Sequence, residues 1–439
     1  MKLFDFASSE TTLAREIRGG VITFMTMAYI IFVQPAMLSH AGMDFGAITF
    51  ATCISAAVAT MMMGLYANLP IALAPGMGEN AFFTFTVVLG MGMVWQSALG
   101  AVFIAGIIFL LLSIFKVRRA ILNAIPDTMR YATAGGIGLF IAFLGLIQGG
   151  IVAKSEGGVL QIGNLHSPVA LIAILGLIVM MILYIKKVPG AIFFGIVISA
   201  IVAFAVGLIK YEGILSLPPD YKPTFLKFAF HDIGRPSFWL AVFIFLYMDL
   251  FDTIGTLLAV AYAGNLVTPD GEVKNVKRAM VTDATGTVVG AMFGTSTVTS
   301  YIESTTGIAA GARTGFAAVI VALLFIISMF FYPIIKAIGG GITVGGTKFY
   351  PITAPALIMV GILMAKTIKE IEWEKFWLAI PAFLTLIGIP LTFSIADGMA
   401  LGFIAYPICA VAAGKGEKVS TTMWIIAGAF VLRYVLFKG

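Results

Sequence analysis

Long apolar runs dominate the chain, and each is close to the length of a membrane-spanning helix. Since a span needs roughly 20 mostly apolar residues, these runs constrain the fold more than any other feature. Of the 439 residues, 60% are hydrophobic and only 11% are charged, so a water-soluble fold could not bury the apolar surface. We therefore predict an all-α polytopic membrane protein without a separate soluble domain. The runs occur at about 17–38, 47–69, 72–92, 96–115, 129–150, 168–185, 189–209, 237–262, 278–293, 296–311, 314–335, 351–365, 376–393, 395–413 and 421–437.

Clusters of Lys and Arg indicate an orientation in the membrane, because cytoplasmic loops are enriched in these residues. The clusters precede the first run and follow the fourth, sixth, eighth, twelfth and fourteenth runs. We therefore expect a cytoplasmic N-terminus and fourteen crossings, with the last run an interfacial helix or an additional span. The net charge of +6 is attributed to these loops, and no nucleic-acid partner is expected. The clusters are Lys2, Arg15, Arg18; Lys116, Arg118, Arg119; Lys186, Lys187; Lys274, Lys277, Arg278; Lys366, Lys369, Lys375; and Lys415, Lys418.

The chain divides into two halves, about 17–209 and 236–413, that each contain seven runs. An odd number of spans per half places the halves in opposite orientations, which is the inverted repeat of many secondary transporters. Between them, residues 210–235 carry several prolines and are predicted to form an extracellular linker, although this segment also holds basic residues. The third run of each half is interrupted.

The interrupted runs are predicted to be short extended stretches followed by half-helices. In residues 67–83, Pro75 and Gly76 disfavour a continuous helix, and Glu79 follows directly. In residues 293–307, a β-favouring Thr-Val-Thr stretch precedes Glu303. Irregular backbone at membrane depth survives only where protein buries it or where it lines a cavity. Paired interruptions therefore indicate a transport site, the alternative being kinks that only shape packing.

Carboxylates inside apolar runs are costly and so are functional candidates. Asp249 and Asp252 lie three residues apart in the eighth run, which places them on one helical face. Asp252 and Glu303 are the stronger candidates, while Asp249 could instead bond to neighbouring helices. The same structural interpretation is favoured for Asp283 and Asp397, and Arg313 is expected to extend to the cytoplasmic interface. We find no nucleophile–base pair, Walker loop or metal-ligand spacing, so no enzyme activity, metal or cofactor is expected.

At these positions the sequence resembles the nucleobase–cation symporters of the nucleobase/ascorbate transporter superfamily, in the adenine/guanine/hypoxanthine permease subgroup. The resemblance covers nearly the whole chain up to about residue 414. It rests on five segments: TFMTMAYI (23–30), APGMGENAFF (74–83), DLFDTIGTL (249–257), GTSTVTSYIES (294–304) and FSIADG (393–398).

The resemblance implies about fourteen segments in a seven-plus-seven inverted repeat that forms a core and a gate domain. The implied division is a cytoplasmic N-terminus at 1–16, a core domain at 17–115 and 236–335, and a gate domain at 116–209 and 336–439 that includes the C-terminal helix. It also implies a base bound between the third and tenth segments, against the eighth. The implied substrate-binding residues are Asp252, Glu303, Asn80, Ala81, Phe82, Thr23, Thr26 and Ile302.

These observations lead to the hypothesis of a purine nucleobase importer of the cell membrane. Asp252 and Glu303 would accept hydrogen bonds from purine N–H groups, and Phe82 could stack on the ring. Burial disfavours a charged carboxyl group, so Glu303, Asp252 or Asp249 is expected to carry a proton that couples transport to the proton gradient. The preferred purine, Na⁺ as the alternative ion and a homodimer remain open. The main alternative is a sulfate or bicarbonate transporter of the same fold; a channel and a membrane enzyme are less favoured.

Overall fold

The computed structural model describes residues 4–7, 9–114, 125–155, 157–158, 160–210, 212–267 and 273–436. Lys2 and the cluster at 116–119 lie outside the described residues. The described part of the chain is mainly helical, and each of the fifteen apolar runs corresponds to a helix or a broken helical segment within a few residues. The prediction of an all-α polytopic fold is therefore confirmed.

The first half contains eight α-helices and three short strands in its described part. The third segment is broken into a strand, a short helix and a π-helical stretch at Phe82–Gly90. The elements are α1 Leu13–Met27, α2 Ile30–Leu38, α3 Phe45–Met62, β1 Leu73–Pro75, α4 Met77–Ala81, α5 Trp95–Ile114, α6 Asp127–Gln148, β2 Val152–Lys154, β3 Leu160–Ile162, α7 Pro168–Ile185 and α8 Ala191–Ala205.

The second half also contains long helices and one broken segment in its described part. Its elements are α9 Pro236–Ala263, α10 Val276–Phe293, β4 Val298–Ser300, α11 Ser304–Ala309, α12 Gly315–Ser328, α13 Tyr332–Gly339, β5 Ile342–Val344, β6 Thr347–Phe349, α14 Ala354–Ala365, α15 Phe376–Thr392, α16 Ile395–Ala412 and α17 Thr421–Leu436. Within the described residues, eight stretches are long and apolar enough to cross a membrane, and shorter apolar helices accompany them.

Local sequence explains several helix boundaries. Asp44 accepts a hydrogen bond from the Ala47 amide and so caps the start of α3. Ser167 caps α7 in the same way, and Pro168 occupies the first helical position, where its missing N–H costs nothing. At the C-terminal end of α10, Gly294 adopts a positive φ that suits glycine.

The helices pack in two groups. The first helix group comprises α1, α2, α3, α5, α9, α10 and α12, which contact one another along with both broken segments. The second helix group comprises α6, α7, α8, α14, α15, α16 and α17. Most of the packing of each helix lies within its own group. Close approach inside the first group depends on small residues, because a Cβ at Gly106 would lie 3.0 Å from side chains of α10.

The two broken segments meet in the first group, where β1 and β4 form an antiparallel pair. Ala74 is opposite Thr299 in this two-stranded ladder, and Pro75 is opposite Val298. The predicted extended stretches in the third and tenth segments are therefore confirmed. The sequence did not predict that the two strands pair with each other.

The predicted linker, residues 210–235, has no long helix or strand in its described part and packs over the ends of the first group. The Leu226 amide donates to the Met292 carbonyl, and the Ala229 amide donates to the Gln96 carbonyl. The Phe228 ring stacks on Phe103, with centroids 4.5 Å apart. These contacts attach the linker to α5 and α10.

Candidate functional site

A cavity of about 550 Å³ lies between the two helix groups. One wall belongs to the first group and is built from α9 and from the residues around β1 and β4. The opposite wall belongs to the second group and is built from α6 and α14. The volume falls within the range of roughly 300–1,000 Å³ that is usual for small-molecule sites.

The strand pair provides hydrogen bonds for backbone groups that two broken spans would otherwise leave unpaired. The Gly76 amide donates to the Thr297 carbonyl at 3.1 Å, and the Tyr301 amide donates to the Ala72 carbonyl at 2.9 Å. The Tyr301 hydroxyl also donates to the Pro75 carbonyl at 2.6 Å. The ladder therefore fixes the starting points of α4 and α11 beside the cavity. Irregular backbone is stable here because protein encloses it.

Gly76, at the start of α4, leaves room for the Glu79 carboxylate. A Cβ there would lie 2.7 Å from Cδ of Glu79 and would collide with one of its carboxylate oxygens. Glu79 therefore folds back over the first turn of its own half-helix. A negative charge is favoured at a helix N-terminus by the helix dipole. Both Gly76 and Glu79 line the cavity.

Asp252 presents its side chain to the cavity from the middle of α9. It is exposed within the structure, although hydrophobic helices surround it. No hydrogen bond to its carboxylate is present among the described residues. Asp252 is thus a free acceptor that faces the interior of the cavity.

Glu303 lies at the start of α11, on the same wall as Asp252. Its Oε1 accepts a hydrogen bond from the Tyr29 hydroxyl at 2.9 Å, which orients the carboxylate. Its neighbour Ile302 also lines the cavity and is 45% exposed. Tyr29 follows the end of α1 in the first half, so the cavity wall combines both halves of the chain.

Two further acids lie behind β4 and outside the cavity lining. Asp283 accepts hydrogen bonds from Thr253 at 2.6 Å and from Ser300 at 2.8 Å. Asp249 accepts one from Thr287 at 2.7 Å and is buried. Asp249 and Asp252 are close on one helix, but only Asp252 lines the cavity. The structural interpretation of Asp283 agrees with these contacts.

Five of the residues implied by the family resemblance lie outside the cavity lining in this conformation. Asn80 is buried and accepts a hydrogen bond from Ser296 at 2.5 Å, while Ala81 is fully buried. The Phe82 ring packs edge-on against Phe245, with centroids 4.8 Å apart, and is also fully buried. These contacts place that side of α4 against the interior of the first group.

The other two of these five, the threonines of α1, pack toward α11. Thr23 is buried, and a Cβ at Gly307 would collide with its hydroxyl. The Thr26 hydroxyl donates to the Thr23 carbonyl at 2.8 Å and lies 3.2 Å from the Thr306 hydroxyl. Both threonines thus support the half-helix that carries Glu303.

The peripheral charged residues are also paired. Asp397 accepts a hydrogen bond from Tyr434 at 2.6 Å and pairs with Arg433 at 2.8 Å, which attaches α17 to α16. Arg313 donates to the carbonyls of Ile308 and Ala312 at the end of α11. Arg313 therefore binds backbone carbonyls, and its expected place at the cytoplasmic interface stays a prediction.

Several lining residues were not identified as candidates from the sequence. Arg130 and Tyr131 of α6 contribute polar groups from the second helix group, and Tyr29 positions Glu303. Arg130 lies in the first turn of an apolar run, where a basic residue is usually attributed to a loop boundary. Its inward position depends on the packing of α6 against α14 and α15.

Most of the chain matches a known protein family. A family model described as a permease family matches residues 14–401. The chain belongs to this permease family. It is 41% identical to the guanine/hypoxanthine permease PbuO of Bacillus subtilis, over 98% of this chain and 99% of that protein. It is 38% identical to the adenine permease AdeP of Escherichia coli, over 100% of this chain and 96% of that protein. The family prediction is therefore confirmed.

Solved structures of other transporters share the fold of this permease. The transmembrane domain of the cyanobacterial bicarbonate transporter BicA aligns with a TM-score of 0.61 at 16% identity, covering 93% of this chain and 98% of that one. SLC26A9 aligns with a TM-score of 0.60 at 11% identity, covering 91% of this chain and 66% of that one. At such identities the likeness concerns the fold alone. The permease is an integral membrane protein with the architecture of these transporters.

Proposed function

We propose that this permease is a secondary active transporter that imports purine nucleobases, in the class of adenine, guanine and hypoxanthine. The observation that carries the proposal is the cavity wall on which Asp252 and Glu303 present carboxylates from α9 and α11. Relatives named as guanine/hypoxanthine and adenine permeases align over nearly their full length, which supports the same substrate class.

The chemistry of the wall suits a purine. Purine rings carry several N–H donors, and a carboxylate is a strong acceptor that can receive two of them. Asp252 has no donor among the described residues, so a purine N–H would supply its missing partner. The aromatic side chains of Tyr247, Phe251 and Tyr301 line the same space and offer faces for the ring. Ile302 adds apolar contact beside Glu303.

The residues off the cavity lining take a supporting part in this proposal. Asn80, with Ala81 and Phe82, fixes α4 against the first group. Thr23 and Thr26 hold α11 in place behind Glu303. A change of conformation that opens the α4 side of the site would bring Asn80 toward the base.

Transport would proceed by alternating access of the two domains, as an elevator or a rocking motion. The core domain, 17–115 and 236–335, would carry the base, and the gate domain, 116–209 and 336–439, would provide the opposing surface. The packing of the helices in two groups with the cavity between them supports this division. The N-terminus, 1–16, would be cytoplasmic and the linker, 210–235, extracellular.

Proton symport is the proposed coupling, with Na⁺ as the alternative ion. Asp252 and Glu303 lie in an apolar protein within the bilayer, where an unpaired charge is costly. A proton taken up with the base would remove that cost on one carboxylate, and Asp249 could exchange a proton behind the strand pair. The proposed substrate class does not depend on which ion is coupled or on whether the protein forms a homodimer.

The second candidate is an anion transporter, because solved anion transporters share the fold. Glu79, Asp252 and Glu303 all face the cavity from one wall, and Asp127 adds a fourth carboxylate at the edge. Only one Lys or Arg side chain lies among the described lining residues. Like charges repel strongly in a low-dielectric site, so a purine is favoured over sulfate or bicarbonate.

The experiment is uptake of labelled adenine, guanine and hypoxanthine in cells that lack their own purine permeases. We expect saturable accumulation that a protonophore abolishes and that excess unlabelled purine competes away. Uptake of labelled sulfate and bicarbonate, measured in the same cells, tests the second candidate. Accumulation of either anion without any purine uptake would overturn the proposal.

A further inference from the structure

We infer that Arg130 reads the O6/N7 edge of a 6-oxopurine and thereby favours guanine and hypoxanthine over adenine. The inference rests on the proposed function and adds a specificity residue on the gate side of the cavity. It concerns α6, which carries no residue that the family resemblance assigned to the base.

Arg130 lies on the side of the cavity opposite the wall that carries Asp252 and Glu303. Its guanidinium lies over the Phe251 ring, 5.0 Å from the centroid, and Phe251 directly precedes Asp252 in α9. Arg130 is the one Lys or Arg side chain among the described residues that line the cavity. The guanidinium is therefore held beside the part of the cavity where Asp252 would bind the base.

The guanidinium retains unused donors in this position. One terminal nitrogen pairs with Asp127, one turn earlier in α6. The Nε is enclosed and has no hydrogen-bond partner among the residues that the structure describes. Arg has five N–H donors in a fixed planar fork, and the contact with Asp127 engages one of its three nitrogens. An enclosed N–H without a partner is costly, and a ligand acceptor would remove that cost.

Four of the other side-chain donors that line the cavity already donate within the protein. The Tyr29 hydroxyl donates to Glu303, and the Tyr301 hydroxyl donates to the Pro75 carbonyl. Ser300 donates to Asp283, and Thr133 donates to the Met129 carbonyl. The first helix group therefore presents the acceptors of Asp252 and Glu303 to the cavity, whereas Arg130 presents donors from the second helix group.

This division of donors and acceptors matches one class of purine. A 6-oxopurine presents N–H donors on its Watson–Crick edge and the O6 and N7 acceptors on the other edge, and Arg binds that pair of acceptors bidentately. Adenine instead presents an N6 amine beside N7, which opposes an Arg donor. Gln binds the N6/N7 pair of adenine bidentately. Residue 130 thus determines which C6 substituent is accepted.

The test measures inhibition constants of guanine, hypoxanthine and adenine against uptake of one labelled purine, for the wild type, Arg130→Gln and Arg130→Lys. A bidentate base contact discriminates by roughly five- to 150-fold. We expect Arg130→Gln to weaken guanine and hypoxanthine by a factor in this range while adenine is retained or strengthened. Arg130→Lys keeps the positive charge but loses the planar pair of N–H donors. We therefore expect it to weaken the binding of guanine and hypoxanthine less than Arg130→Gln does.

Arg278→Gln is the matched control, because Arg278 lies over the Tyr66 ring and outside the cavity lining. Its inhibition constants should equal those of the wild type at matched surface expression. The inference would be overturned if Arg130→Gln changed the inhibition constants of all three purines by the same factor. It would also be overturned if none of the three constants changed. Either result leaves the purine proposal standing, whereas absence of purine uptake by the wild type would refute that proposal itself.

Discussion

The removal of the Asp252 carboxylate is the most informative perturbation of the proposed site. Asp252 accepts no hydrogen bond from the described part of the protein, so its replacement breaks no contact there. The change in affinity should then report the contact with substrate alone. A hydrogen bond to a charged group contributes about 1.5–3 kcal/mol, and a neutral one contributes about 1 kcal/mol.

These values give a graded expectation. Asp252→Asn keeps the shape and one carbonyl acceptor, so it should lose about 1–2 kcal/mol, or roughly five- to 30-fold in purine affinity. Asp252→Ala removes the acceptor and should lose about 10- to 150-fold. The assay is equilibrium binding of labelled guanine and hypoxanthine to purified protein in detergent, together with uptake in cells.

The control for the loss of a negative charge is Glu374→Gln, which changes an exposed acid in the loop before α15. It should leave affinity and uptake at wild-type values. If both Asp252 variants bind purines as tightly as the wild type, Asp252 does not contact the base. An equal loss in the control would show that the effect is one of general charge.

Three further predictions follow from close contacts around the strand pair. Gly76→Ala should expel the Glu79 carboxylate from the start of α4, which would lower uptake at unchanged surface expression. Tyr29→Phe removes the donor that orients Glu303 and should weaken purine binding by roughly fivefold, the equivalent of about 1 kcal/mol. Gly307→Ala places a methyl group against the backbone of α1 and should cost about 1–3 kcal/mol of stability. The loss should appear as a lower melting temperature of the purified protein. An unchanged melting temperature would contradict the close packing of α11 against α1.

The helical fold could be predicted because apolar runs of span length leave few alternatives. The interruptions were visible because Pro75, Gly76 and a β-favouring Thr-Val-Thr stretch contradict a continuous helix. The pairing of β1 with β4 was not predictable, since short strands far apart in sequence carry no signal for their partner. Only the folded chain brings the third and tenth segments together.

The site could be predicted in part for a similar reason. An acid inside an apolar run is conspicuous, so the sequence alone is enough to mark Asp252 and Glu303 as candidates. Helical periodicity could not decide which side of α4 faces the cavity, because α4 has only five residues and its two polar ones, Glu79 and Asn80, are adjacent. Asn80 and Phe82 consequently lie against the interior of the first group in this conformation. Arg130 was missed because its charge at a run boundary has a common alternative explanation.

If a purine occupies the cavity between the two helix groups, it should shield Gly255 from reagents in the cavity. Gly255 lines the cavity, and a Cβ built there meets no heavy atom within 4 Å. Gly255→Cys would be made in a background where Cys53 and Cys409 are replaced by alanine. Gly345→Cys, on an open turn outside the cavity, is the control.

The decisive measurement is the rate at which a membrane-permeant thiol reagent alkylates each introduced cysteine, with and without purine. We expect guanine or hypoxanthine to slow alkylation at position 255 in a saturable manner and to leave the alkylation rate at position 345 unchanged. Equal alkylation rates at position 255 with and without saturating purine, in a variant that still accumulates purine, would contradict it.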